Sequence, residues 1–240
     1  MFVRFAEEEN NHVSGELPDI YWHKHIHPAG WPYYHHTRDK VTTTLDITDP
    51  RTYRDLQRHH RDHARRDSFA FPNNPSYEHY LDTFNTKWEI SVDETGYRWI
   101  NHAEALGGDK DQGLLEMLQE VTSPRRYEHT LERRRDYWAF LQAHPCHTVL
   151  PEYGEQHVQD VLTWCLADQT LFSTSTASFT VVQAERLLEI LKSLPDPSTR
   201  PIEENMKSYS FSLRVWYTAA IARTIGTLSL SLSYSTSILD

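Results

Sequence analysis

A chain of 240 residues is long enough for one generous domain or two small ones. Asp and Glu outnumber Lys and Arg by 34 to 24, and the formal charge of -10 disfavours non-specific attraction to phosphate backbones and anionic lipid. Other protein subunits are therefore the expected partners, with no nucleic acid and no membrane insertion.

The opening MFVRFAEEENNH turns acidic within seven residues, unlike a signal peptide or an acid-poor transit peptide. From Met1 to Asp39 no helical or strand period is visible. Pro18, Pro28 and Pro32 are interspersed with aromatics and with five histidines between His23 and His36. This reads as an extended arm. In VTTTLDI, residues Val41, Thr43, Leu45 and Ile47 alternate with polar neighbours, the mark of a short half-buried strand. Asp49 and Pro50 then open a helix to about Arg66, whose only large aliphatic residue is Leu56. Such a helix buries little by itself, and the first hundred residues look poorly cored. KWEISVDETGYRWI predicts a β-hairpin about the Asp93–Gly96 turn.

After the glycines at 107, 108 and 113 apolar residues fall at helical spacing. Leu114, Leu115, Leu118 and Val121 predict a short helix. Tyr127, Leu131, Trp138 and Leu141 predict the next, begun at Ser123-Pro124 and stopped at His144-Pro145. Val158, Val161, Leu162, Cys165, Leu166 and Phe172 mark a third, and Phe179, Val182, Leu187, Ile190, Leu191 and Leu194 a fourth. Beyond the connector Pro195–Pro201, Phe211, Val215, Ala219, Ala222 and Ile225 mark the last. The tail LSLSLSYSTSIL alternates like a strand. With Arg214, Arg223 and many serines, the stretch 211–239 does not suit a spanning helix.

The expected fold is thus mainly α. An antiparallel C-terminal bundle of about five helices (107–226) follows an extended His- and aromatic-rich arm (1–40) and a small α+β segment (41–106) made of a short strand, a polar helix and a hairpin; residues 227–240 form a polar tail. Cys146 and Cys165, the only cysteines, are too few for a secreted disulfide framework. A reducing intracellular compartment, cytoplasm or organelle interior, is expected.

Of the 15 histidines, 11 precede Ala103. His23, His25 and His27 alternate, so in an extended segment all three point to one side, where neutral imidazoles can hold zinc or iron. His59 and His63, one helical turn apart, can add ligands, as can Glu78 or His79. An arm that packs its histidine rings on aromatic neighbours without metal is the simpler expectation. His25-Ile26-His27 resembles the His-hydrophobic-His signature of nucleases that cut single-stranded DNA with a tyrosine; that resemblance, three residues long, implies Tyr53 or Tyr80 as nucleophile. His59-His60 with Asn74 and His79 resembles the His-Asn-His metal-finger nucleases.

Cys146 beside His147 can be an activated thiolate, but lacks an identifiable orienting residue and reads as an ordinary loop cysteine. No glycine-rich nucleotide loop and no G-x-S-x-G elbow occurs. Glutamates such as Glu104, Glu116, Glu120, Glu128, Glu132, Glu152 and Glu155 invite a di-iron reading, yet no Glu-x-x-His pair occurs in the bundle, and solvated helix faces explain them. The aromatic set Tyr127, Trp138, Trp164, Phe172 and Trp216 reads as core. The expected function is a non-catalytic accessory subunit that docks in a larger assembly through its aromatic arm. A His-ligated metal-dependent hydrolase or oxygenase is the rival, and a single-strand nuclease the third.

Overall fold

The computed structural model describes residues 15–58, 88–94, 96–109, 126–175, 177–194 and 209–236. Two compact units divide the chain: the first comprises the chain up to His25 together with Pro32–His102, the second Ile26–Trp31 together with the chain from Ala103 onward. Six strands and five helices are found among the described residues.

In the first unit the strands β1 (Trp22–Ile26), β2 (Pro32–His36), β3 (Val41–Thr43), β4 (Trp88–Asp93) and β5 (Gly96–Asn101) lie side by side in chain order. The pairing is mixed: β2/β3 and β4/β5 are antiparallel, whereas β3 and β4 run parallel. Because the pleat alternates faces, the registers Tyr34↔Thr43, Val41↔Ile90 and Val92↔Tyr97 place these residues on one side of the sheet. That side is apolar. Tyr34, Val41, Ile90, Val92 and Tyr97 pack with Trp22, Ile47, Tyr53 and Leu56 in one buried cluster.

Helix α1, described over 50–58, supplies Tyr53 and Leu56 to that cluster. Its start is built as the sequence predicts. Asp49 Oδ2 accepts from the Thr52 amide at 2.9 Å and from the Thr52 hydroxyl at 2.8 Å, an N-cap ahead of Pro50 in the first turn. One leucine and one tyrosine suffice, because the sheet presents the rest of the apolar surface. Leu56→Ala is expected to cost about 2–5 kcal/mol by urea denaturation, as for a fully buried leucine.

The second unit holds strand β6 (Leu106–Asp109) and helices α2 (Arg126–Ala143), α3 (Gly154–Leu171), α4 (Val181–Ser193) and α5 (Tyr209–Thr236). Helix α5 packs on α2, α3 and α4, and α2 also packs on β6. The core takes Tyr137, Trp138 and Leu141 from α2, Val158, Leu162 and Cys165 from α3, Ala184 and Leu191 from α4, and Val215, Ala219 and Ala222 from α5. Helix α4 opens on a capping box, Thr180 accepting from the Gln183 amide while the Gln183 side chain accepts from the Thr180 amide.

The mainly-α expectation is overturned by these elements. The segment read as an extended arm contributes β1 and β2, and the first hundred residues have a core of their own. Period-2 alternation was invisible in PYYHH because Tyr33, Tyr34, His35 and His36 are all buried, so both faces of β2 turn inward. Pro32 stands at the first residue of its strand, a position that tolerates proline. Nor is the C-terminal half an all-helical bundle. Of the three glycines at its start, Gly107 and Gly108 lie in β6, where a Cβ on Gly108 would be in ordinary contact with Arg133, 3.9 Å from its Cγ, and Gly113 lies outside the described residues. The tail is helical to Thr236, since extending a helix costs less than starting a strand without a partner. The hairpin at Trp88–Asn101 and the stripes through Leu141, Leu162 and Leu191 are as predicted. The predicted helix at Leu114–Val121 and the Ser123-Pro124 start lie outside the described residues. Among the described residues no helix is long and apolar enough to cross a membrane.

Candidate functional site

The face of the sheet opposite the apolar cluster is polar and buried. The register His35↔Thr42↔Ser91 puts these three on it, and Glu89, two residues before Ser91, joins them. His35, Thr42 and Glu89 are each less than a tenth exposed.

Glu89 organises the group. Its Oε1 accepts from the Thr42 hydroxyl and lies 3.2 Å from His35 Nδ1, while its Oε2 lies 3.0 Å from His102 Nε2. His35 Nδ1 is also 2.9 Å from Thr42 Oγ1. Carboxylate oxygens removed from water need polar partners, and here a hydroxyl and two imidazole nitrogens stand within reach. His25 stands at the margin, its ring stacked on Tyr33 at 5.2 Å. Burial, then the neighbouring His35 and His23, lower its pKa to about 4 against a weaker pull from Glu89, so it is uncharged at neutral pH. Glu89 thus bridges two imidazoles, one at each carboxylate oxygen, a chain along which a proton can pass.

The histidines singled out from the sequence are not brought together. His23 is exposed, and His25 lies in β1 against Tyr33. His27 falls in the six-residue segment that belongs to the second unit. There its Nε2 donates to the Gln142 carbonyl at 2.9 Å, and its Nδ1 accepts from the Ala29 amide at 3.0 Å. Its ring stacks on Trp31 at 3.8 Å and meets Trp216 edge-on. Both nitrogens being engaged, the ring is a neutral structural element whose pKa is lowered by burial. His59, His60, His63, Asn74, Glu78, His79 and Tyr80 lie outside the described residues. Tyr53, the other nominated nucleophile, is buried in the apolar cluster, and burial raises its pKa.

Sequence reasoning missed Glu89, His35 and His102 as a group. They come from β2, β4 and the residue after β5, and only the strand register joins them. Cys146 is buried and donates its thiol to the Ile26 carbonyl at 3.2 Å. Glu155 is claimed by Arg214, whose Nε donates to its Oε2 at 2.7 Å.

A second feature lies on α3 in the second unit. Val158, Leu162 and Cys165 face the core, whereas Trp164 and Leu171, seven residues apart and so on one helical stripe, point outward with Phe172 just beyond them. They are 54%, 73% and 59% exposed, so Trp164 and Phe172 are not the core residues the sequence suggested. No protein-family model, curated protein or solved structure matches this chain.

Proposed function

We propose that the protein is a non-catalytic accessory subunit that docks within a larger intracellular protein assembly. One observation carries the reading: α3 has a second apolar stripe, Trp164 and Leu171 continued by Phe172, on the side turned away from its core stripe. Lone exposed apolar residues are ordinary, but three large ones in one stretch of helix and cap mark a surface that gains by being covered. Tryptophan and phenylalanine are enriched in interface centres because a rigid ring buries much area at little entropic cost. In this reading the docking surface lies on the helical unit rather than on the N-terminal segment, where Tyr33, Tyr34, His35 and His36 are buried.

The test is a chromatographic comparison of the native chain with a Trp164→Ser, Leu171→Ser double variant, each purified from the source cells under mild conditions. The native chain is expected to elute as a stoichiometric complex and the variant alone. Surface changes of this kind move stability by roughly 0.5 kcal/mol or less, so the variant should melt as the native chain does. A native chain that elutes alone refutes the proposal.

A further inference from the structure

We infer that the partner covers the exposed face of α3 with a basic amphipathic helix of about five turns, an inference that rests on the docking reading above and names the chemistry of that partner. The spacing of exposed residues carries it. Tyr153, His157, Asp160, Trp164, Ala167 and Leu171 follow one another at alternating steps of four and three residues, and every one of them is exposed. That rhythm draws a single seam along a helix, the kind on which a second helix packs. Val158, Leu162 and Cys165 meet the core on the opposite side. From Tyr153 to Leu171 the seam is about 27 Å long at 1.5 Å per residue.

Charge selects the occupant. Between Arg135 and Arg186 the sequence holds no Lys or Arg, whereas it has Asp136, Glu152, Glu155, Asp160, Asp168 and Glu185. Within α3, Glu155 is engaged by Arg214, and Asp168 accepts from the Ser175 hydroxyl. Asp160 stands in the middle of the seam, its Oδ1 accepting from the neutral side-chain amide of Gln156 at 2.7 Å. A carboxylate covered by a partner loses water and needs a cation from that partner. A Lys or Arg opposite Asp160 supplies it, and the face of Trp164, one turn further on, offers the same cation a ring to stack on. Ala167 lowers the seam between Trp164 and Leu171, where a larger apolar side chain of the partner fits.

A second copy of the chain does not meet these needs. In an antiparallel pairing of two α3 helices about the level of Leu162, Tyr153 faces Leu171 and Asp160 faces Trp164, so both carboxylates are covered with no Lys or Arg of α3 at hand. In a parallel pairing Asp160 faces Asp160. The complementary charge therefore comes from a different chain, and the same charge turns away acidic helices that share the apolar pattern.

The test uses the full chain in the complex purified from the source cells. Asp160→Lys reverses the charge of the seam and leaves Trp164, Ala167 and Leu171 in place; it is expected to weaken the complex about 30-fold or more. Asp160→Asn, which keeps the shape of the side chain, should weaken it less. Glu94→Lys makes the same change of net charge at an exposed position of the first unit and should leave the complex intact. A benzophenone-bearing residue in place of Thr163, exposed beside the seam, should cross-link under light to a partner segment with apolar residues at three- and four-residue spacing, flanked by Lys or Arg. The basic helix is overturned if Asp160→Lys elutes in the complex as the native chain does, or if the marked segment is acidic, is extended or belongs to a second copy. The Trp164→Ser, Leu171→Ser comparison still decides the docking reading in that case, whereas a native chain that elutes alone overturns both.

Discussion

Acidification below pH 6.5 is expected to destabilise the protein, beginning above the range in which ordinary carboxylates titrate. Three histidines, His25, His27 and His36, have pKa values lowered from 6.5, each mainly by burial. In the unfolded chain all three return to the ordinary value. Between that value and the lowered one the unfolded state binds more protons, so stability is complete above pH 6.5 and is lost as pH falls. For His25 the window runs from 6.5 down to about 4, which at 1.36 kcal/mol per unit amounts to about 3 kcal/mol at its lower end.

His27 is the clearest of the three in structural terms. Protonating its Nδ1 removes the acceptor used by the Ala29 amide, and the charge would lie between Trp31 and Trp216. The groups facing it are the Gln142 carbonyl, with Cys146 and Tyr209 bonded to the same segment and Arg223 bonded to the Gln142 side chain; no carboxylate is among these partners to offset the charge. Urea midpoints measured across this range should fall with pH. His27→Gln, whose amide can both donate and accept but does not titrate, should make the decline shallower. A midpoint independent of pH between neutrality and pH 5 would contradict the assignment.

Arg214→Ala is expected to be the most damaging substitution of a charged residue among those described in the helical unit. Arg214 on α5 is 9% exposed and makes a two-pronged pair with Glu155 on α3, through Nε at 2.7 Å to Oε2 and through Nη2 to Oε1. Its Nη1 donates to the Leu194 carbonyl at 2.7 Å, satisfying a group at the end of α4 that the helix itself leaves unbonded. One guanidinium thus ties three helices. Removing it strands a carboxylate and a carbonyl, and the loss is about 2–4 kcal/mol, below the full figure for a buried pair because Glu155 retains some solvent. The mechanism is separable from simple loss of attraction. In Arg214→Met with Glu155→Leu no charge is left unpaired, so the double variant should recover part of the loss in thermal or urea unfolding. If it is no more stable than Arg214→Ala, the stranded charge is not the cause.

What could be read from the sequence depended on whether burial and polarity coincided. They do so in α3 and α4, where Leu162 and Leu191 sit on apolar stripes, and in the hairpin, where the Gly96 amide donates to Asp93 Oδ1 at 3.1 Å in the expected turn. They diverge in β1 and β2. The interior of the first unit is built from Trp22, Tyr33, Tyr34, His35 and His36 as much as from aliphatics, so no apolar period marks those strands. The polar group around Glu89 was illegible for a related reason. His35 and Glu89 are 54 residues apart and meet only because β3 lies between their strands, with His35 opposite Thr42 and Thr42 opposite Ser91. The alternation of His23, His25 and His27 presupposed that one strand carries all three, but β1 ends at Ile26 and His27 is bonded to α2.

The parallel pairing of β3 with β4 also sets a timetable for synthesis. When α1 has left the ribosome, Trp22, Tyr34, Val41, Tyr53 and Leu56 are present, but Ile90, Val92 and Tyr97, which complete their cluster, are not. At about 5–20 residues per second, translation from residue 59 to Asn101 takes about 2–9 seconds. Throughout that interval the nascent chain carries an uncovered aromatic surface and an unpaired β3 edge, which makes this stage of its synthesis the one most exposed to aggregation and most dependent on chaperones.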